Sequence, residues 1–436
     1  MEAKYMRAFA RAGHTRVGAV VGVAGAVALV CGALAPVAQA AAPAGAAAPA
    51  GAAAPGAAAP AVLAGVGTPT PQLPPLDPAA LQAAISGLPN ADITGSLLQV
   101  NDLQTGDAWR GVSGLGDVAT GQAPSAADRF RIGSVTKVFT ATVTLQLVAA
   151  HQVSLAESIQ HYLPGELPAS YPPITVAELL NHTSGLPGVN VGDDEGDPAG
   201  FVAHRFEHPT PQQIVGALAG EPMAFAPGTA QRYNGVNYFL LGMLIERVTG
   251  HSYATEVKAR IIRPLRLHDT SVPGATSFRI AGPHLHGYLA VPAADGAGGG
   301  ATTLVDVSEQ SPYPWAEGGM ISSARDLRTL MVALFTGRLL PRAELTDMFT
   351  VPDVPYVAAD QCQVGNPGHA CFGMGLMSAT LDGVTVWGKT GSRPGYTDGV
   401  FATQDLQRVL VYAFSPTSES VNSSPFILAI AQATLR

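Results

Sequence analysis

The sequence predicts a mixed α/β fold of the α+β type: an antiparallel sheet built from both ends of the globular part, with flanking helices and a mainly helical insertion. Three observations lead there. Short strand-like runs separated by turns occur near residue 100 and again beyond residue 370, helical patterns broken by Pro and Gly fill the middle, and an apolar helix closes the chain. A site in such an arrangement would form in the cleft between sheet and insertion.

The elements follow in chain order. Lys4, Arg7, Arg11 and Arg16 precede the apolar run Val17 to Val37 and the small residues Ala38-Gln39-Ala40, the pattern of an export signal cleaved before Ala41. An uncleaved membrane anchor is the competing reading, because the run is long, although it consists of Ala, Gly and Val. No Arg-Arg pair marks a twin-arginine route, and Val30 before Cys31 does not suit lipidation. Residues 41–76 are almost wholly Ala, Pro and Gly, cannot bury a core, and read as a disordered or extended linker. Residues 77–436 read as one domain whose helical insertion covers about residues 140–361.

Asp77-Pro78 is a helix cap followed by proline at the first helical position, with Leu81, Ile85 and Leu88 at helical spacing. Ser96 to Val100 and Ala108 to Val112 read as strands, and Arg129 to Gly133 as a strand-like run before a helix over Val138 to Ala150. Helices are expected over Val176 to Leu180, Pro211 to Ala219, Tyr238 to Val248 and Ala324 to Phe335. The far end supplies strands at Gly373 to Met377, Val384 to Gly388, Gly399 to Ala402 and Val409 to Phe414, then a helix from about Ser424.

The chain carries 24 basic and 32 acidic side chains; without residues 1–40 these become 20 and 31, a net charge of −11. Such a surface is a poor partner for nucleic acid. Beyond residue 40 two cysteines remain, Cys362 and Cys371, which in an exported protein read as a disulfide closing a short loop; two free thiols are the alternative. His284 and His286 alternate without a third ligand at zinc spacing, and Asp193-Asp194-Glu195-Gly196-Asp197 lacks the EF-hand pattern. No metal and no cofactor is expected.

Ser134-Val135-Thr136-Lys137 puts a hydroxyl and an amine three residues apart at the start of a helix, hence on one face. A serine hydroxyl is a weak nucleophile that needs a neighbouring base and a dipole for developing negative charge, and this placement offers both. An ordinary N-cap serine is the bland alternative. Lys389-Thr390-Gly391 follows an apolar strand and offers a charge, a hydroxyl and an open backbone; a solvated edge lysine and a bulge glycine are the alternative. Tyr233-Asn234-Gly235 precedes an apolar helix, and a loop tyrosine beside a lysine can relay protons, unless it is a buried aromatic.

Ser-x-x-Lys near the sheet, a Tyr-x-x loop in the helical part and Lys-Thr-Gly on a late strand follow the motif order of the serine penicillin-recognising enzymes. The chain resembles that family from Asp77 to its end, including Leu179-Leu180-Asn181-His182-Thr183-Ser184-Gly185-Leu186-Pro187 and the run from Gly318 to Leu327. His286 to Leu289, Leu304 to Asp306 and Glu309-Gln310 are similar to the soluble, secreted D-alanyl-D-alanine carboxypeptidases. The resemblance implies a β-lactamase/transpeptidase-like fold and a secreted carboxypeptidase that acts on peptidoglycan stem peptides and is acylated by penicillins. Ser134 would be the acylated nucleophile, Lys137 its proton acceptor and Tyr233 the group that protonates the leaving amine and activates the deacylating water. Backbone N–H groups of Ser134 and Ser392 would form the oxyanion hole, with Lys389, Thr390 and Gly391 binding the substrate carboxylate.

Two departures stand out. The family loop is usually Tyr-x-Asn, whereas the third position here is Gly235, with Asn234 or Asn237 as possible substitutes. The late motif begins with Lys389, as in class C β-lactamases, where the soluble carboxypeptidases often carry His. Trp315 lines the cleft by resemblance or packs internally; Arg393 holds a carboxylate or is a solvated surface arginine. A β-lactamase, an esterase or D-amino-acid amidase, and a non-hydrolytic penicillin or muropeptide sensor are the alternative functions. The mature protein is expected to be a monomer free of the membrane.

Overall fold

The computed structural model describes residues 71–189, 197–292, 302–358 and 361–436. The expected export signal, residues 41–70 of the expected linker and residues 193–196 of the acidic stretch lie outside the described residues. Residues 71–76, expected to belong to that linker, instead join the domain, because Leu73 is buried in a core cluster and its N–H donates to Gln407 Oε1 (2.9 Å). From the amino-terminal side come helix α1 (Pro78–Ala84), strands β1 (Ile93–Asn101), β2 (Ala108–Gly114) and β3 (Arg129–Arg131), a 3-10 turn (Gly133–Val135) and helix α2 (Thr136–Ala149). The middle includes helices α3 (Val176–Leu180) and α4 (Val236–Thr249), the antiparallel pair β4 (Tyr288–Pro292) and β5 (Thr302–Asp306), short β6 (Ile321–Ser323) and helix α5 (Ala324–Phe335). The end supplies β7 (Met377–Leu381), β8 (Val384–Arg393), β9 (Tyr396–Thr403), β10 (Val409–Pro416) and helix α6 (Ser424–Leu435).

These ends meet in one six-stranded antiparallel sheet, ordered β2-β1-β10-β9-β8-β7. β1 lies against β10, with Leu97 opposite Ala413 and Val100 opposite Leu410, so the expected sheet of both chain ends is present. Every residue of β1 is buried because both faces of the sheet are covered. On one face Leu97, Val400, Val411 and Ala413 join Val138, Phe139, Phe239 and Leu244 of α2 and α4. On the other, Leu98, Leu410, Tyr412 and Phe414 pack with Leu81, Ile85, Ile430 and Leu435. Each fully buried side chain of this size contributes about 1.5–3 kcal/mol.

Local chemistry sets the element ends. The Asp77 carboxylate accepts from the N–H groups of Ala79 and Ala80 (2.8 and 3.2 Å), leaving Pro78 where no N–H is needed. α2 is buried from Thr136 through Leu145, so it runs through the interior and carries Lys137 with it. The strand expected at Gly373 to Met377 begins instead at Met377. Residues 373–376 form a turn in which Gly373 N–H donates to Leu376 C=O (2.9 Å), and Gly375 (φ +92°) lies where a Cβ would be 2.4 Å from Ala141 of α2. The helix expected to reach Ala219 ends at Gly216, and that expected from Tyr238 begins at Val236.

Arg408 ties the two ends together. Its guanidinium is buried and donates to Asp102, to the backbone carbonyls of Thr434 (3.1 Å) and Gln407 (3.0 Å), and to that of Pro74. A buried charge stripped of its partner is costly, because desolvation is no longer offset. Arg408→Ala is expected to lower unfolding free energy by about 3–5 kcal/mol in urea titrations, whereas Arg279→Ala, an exposed arginine paired with Glu309, should change it by less than about 1 kcal/mol.

Candidate active site

Ser134 stands on the 3-10 turn between β3 and α2, one turn before Lys137. The N-cap of α2 is Val135 and makes no side-chain cap bond, so the Ser134 hydroxyl is not spent on the helix. It receives two hydrogen bonds instead: Lys137 Nζ at 2.9 Å and Tyr233 Oη at 2.7 Å. Tyr233 comes from the loop before α4, so two segments far apart in the chain converge on one oxygen. The remaining Lys137 bonds go to the backbone carbonyl of Glu317 (2.8 Å) and to the Glu317 carboxylate.

β8 supplies the opposite wall. β7 pairs with Val384 to Gly388 alone, and residues 389–393 run on beyond its end, bonded to β9 on their other side. This free edge meets the serine turn, for a Cβ at Gly133 (φ +43°) would lie 2.5 Å from the Ser392 nitrogen. Gly391 is equally confined, since a Cβ there would lie 2.2 Å from the Ile132 carbonyl oxygen and 2.7 Å from both Asp398 carboxylate oxygens. Lys389 is buried; its Nζ donates to the Thr390 carbonyl (2.9 Å) and lies 4.8 Å from the Tyr233 ring centroid. Ser134, Tyr233, Glu317, Lys389, Thr390 and Ser392 line a common cleft that continues under the Cys362 loop toward Leu410, Tyr412 and Ile427 of β10 and α6, about 810 Å³ in all. Cys362 and Cys371 are joined in a disulfide, Cα to Cα 5.4 Å.

The electrostatics of the trio follow from burial. Desolvation lowers the proton affinity of Lys137 below its ordinary 10.5, with the Glu317 carboxylate pulling the other way. Tyr233 is pushed well above its usual value by burial and by Glu317, so it remains a phenol that can donate. Burial also lowers His182, assisted by the two lysine charges, and keeps its ring neutral. Asp398, with both oxygens buried and no hydrogen bond found for either, is pushed up by burial against the pull of Lys389. A weakened amine base, a phenolic acid and a shared hydroxyl between them are the components of proton-coupled acyl transfer.

Other expected residues are placed differently. The Asn234 amide donates to the Leu186 and Pro187 carbonyls (2.8 and 3.1 Å), and Asn237 bonds Ser184 and His182, so both amides serve the 182–187 loop rather than Lys137. Trp315 does not line the cleft. With φ at +53°, its ring packs edge-on against Tyr253 and into α4, where a Cβ at Gly242 would be 2.7 Å from the indole. Arg393 is no solvated arginine: it is buried and donates to Gln310 Oε1 at 2.8 Å. Two participants had no sequence signal of their own. Glu317 precedes Gly318-Gly319 without any motif, and His182 was visible solely as part of a family-like loop; its ring centroid lies 4.6 Å from that of Tyr233, the two planes tilted by 42°.

Sheet, cleft and trio define a serine hydrolase of the β-lactamase fold. The Beta-lactamase family model matches residues 91–430, and the chain belongs to this family of serine penicillin-recognising proteins. It is 31% identical over 299 residues to the esterase EstB of Burkholderia gladioli, covering 63% of this chain and 72% of that one. It is 33% identical over 186 residues to penicillin-binding protein 4 of Amycolatopsis lactamdurans, spanning 46% of that protein. Among solved structures, the D-stereospecific amidohydrolase of a Streptomyces species has a TM-score of 0.67 at 33% identity, covering 81% of this chain and 98% of that one. The D-amino acid amidase of Ochrobactrum anthropi SV3 complexed with D-phenylalanine has the same TM-score and coverage at 26% identity.

The neutral His182 has a measurable consequence. An unfolded chain takes up this proton below about pH 6.5 while the folded one does not, so its contribution to stability is lost as pH falls beneath that value. His182→Gln is expected to flatten the fall in unfolding free energy between pH 6.5 and 5, by up to about 1.4 kcal/mol per pH unit, in denaturant titrations at fixed ionic strength.

Proposed function

We propose that the protein hydrolyses the amide bond that follows a D-configured residue, and that its substrates are the D-Ala-D-Ala ends of peptidoglycan stem peptides, making it a carboxypeptidase acylated by penicillins. The observation that carries this reading is the convergence of Lys137 and Tyr233 on Ser134 opposite the free edge 389–393. Acyl transfer needs a nucleophile, a proton shuttle, an oxyanion site and an anchor for the far end of the substrate. Ser134 Oγ attacks the carbonyl carbon and passes its proton to the neutral Lys137 amine. Tyr233 protonates the departing nitrogen as the C–N bond breaks, and the resulting phenolate takes a proton from the water that attacks the ester; as the ester C–O bond breaks, Lys137 returns its proton to Ser134 Oγ, which restores all three groups. Backbone N–H groups of Ser134 and Ser392 are assigned to the oxyanion; the closeness of Gly133 and Ser392 supports that pairing. Lys389 and Thr390 are assigned to the carboxylate.

A second reading, release of ammonia from D-amino-acid amides, is favoured by the two amidohydrolase structures. The basic, apolar start of the chain supports export to the cell-wall space under either reading.

Intact-protein mass spectrometry after brief and long exposure to benzylpenicillin, a D-Ala-D-Ala peptide and D-phenylalaninamide separates the readings. The expected outcome is a long-lived penicilloyl adduct with D-Ala release from the peptide; Ser134→Ala should abolish both. Turnover of penicillin in well under a second would make the protein a β-lactamase, and an adduct without any product release would make it a sensor. Because the base must be unprotonated, kcat/KM should fall with decreasing pH along a limb set by Lys137, lying below 10.5.

A further inference from the structure

Gly235 stands where the family loop has an amide, and Asn234 and Asn237 do not replace it. The space beside the Lys137 amine is nevertheless filled. A Cβ at Gly235 would lie 3.0 Å from Glu317 Oε1, 3.2 Å from its Cγ and 3.3 Å from its Cδ, tighter than ordinary packing. The glutamate comes from a segment about 80 residues further along the chain, the one before β6, and supplies both a backbone carbonyl and a carboxylate to Nζ. Two of the three bonds of that amine are therefore made by one residue, and the third goes to the nucleophile.

We propose that Glu317 is a positioning residue for Lys137: its carboxylate occupies the room left by Gly235 and holds the amine on the Ser134 hydroxyl, in place of the family amide. The assignment rests on the acyl-transfer reading of Ser134.

An amide and a carboxylate would orient the amine equally well, but they differ in charge. The groups around Lys137 are Tyr233 and Tyr238 from the loop and helix α4, with ring centroids 5.0 and 5.5 Å from Nζ, and the neutral His182 ring; Lys389 of β8 contacts the Tyr233 ring, 4.8 Å from its centroid, and is itself in the field of Asp398 of β9. Among these neighbours, Glu317 is the one whose charge favours the ammonium at hydrogen-bond distance. It therefore offsets the burial that would otherwise strip the proton from Lys137, and sets the pH at which the base becomes available. A counter-ion on the surface could not do this, but the Glu317 side chain is 14% exposed.

The test uses the secreted chain and p-nitrophenyl butyrate, whose leaving group needs no proton, so that the acid limb of kcat/KM reports the base. Glu317→Gln keeps the shape and removes the charge: the acid limb should move to lower pH by about one unit or more. Gly235→Asn alone crowds Glu317 and should lower kcat/KM about tenfold or more. Combined with Glu317→Ala it should regain most of that loss, since the asparagine then fills the vacated room. An acid limb unmoved in Glu317→Gln, or a Gly235→Asn loss that is unchanged in the double variant, overturns the proposal. Near-ultraviolet circular dichroism distinguishes misfolding from mispositioning in each variant; should Gly235→Asn fail to fold, the limb shift in Glu317→Gln decides alone. A parent enzyme that neither turns over the ester nor forms an adduct fails the acyl-transfer reading instead.

Discussion

A primary amine sealed inside a protein must either lose its proton or be surrounded by acceptors, and Lys137 lies between these limits. Its side chain is 1% exposed, carried inward by a helix that is buried almost all round, and every proton an ammonium would offer has a defined recipient. The rest of the site follows from that placement. Ser134 owes its orientation to the amine one turn away; Tyr233 is held as a phenol by the same burial and the same carboxylate. The 182–187 loop keeps a neutral ring where a charged one would compete. Removing the apolar packing of α2 would return this amine to water and to an ordinary lysine.

The second constraint is a difference in strand length. β8 outruns β7 by five residues, and those residues, bonded to β9 on their other side, run beside the serine turn. A strand edge of this kind is, in general, where proteins take up an extended peptide as an additional strand. Glycines at 133 and 391 are what allow the serine turn to come so near. A hydrolase, an amidase and a penicillin target can share this scaffold because the edge specifies direction, while the walls specify what hangs from it.

Much of this was legible in the sequence, for identifiable reasons. Helix α5 was readable to the residue because Ser323 caps its first turn and its apolar positions recur at helical spacing. The sheet of both ends was readable because turn residues bracket apolar runs at each end. Ser134 and Lys137 were readable because three residues is less than one helical turn. What was not legible depends on contacts across long separations. Nothing near residue 317 says that its carboxylate will meet an amine at 137. Nothing around Trp315 says that its ring will turn inward at positive φ. The Gly373–Leu376 turn looked like a strand because a glycine packed on a helix and a glycine in a sheet read alike in one dimension.

The pairing of β1 with β10 also governs when the molecule can work. Ser96 and Phe414 are neighbours in the sheet, and the nucleophile turn waits for a strand some 250 residues later in the chain. Contacts of such sequence separation form late, because loop closure precedes any reward from pairing. A chain emerging from the ribosome carries its serine and lysine long before it carries the edge that faces them. Synthesis must therefore run through β8 and β9 before the wall that faces the serine exists, and the cleft is assembled only once both ends of the sheet are available.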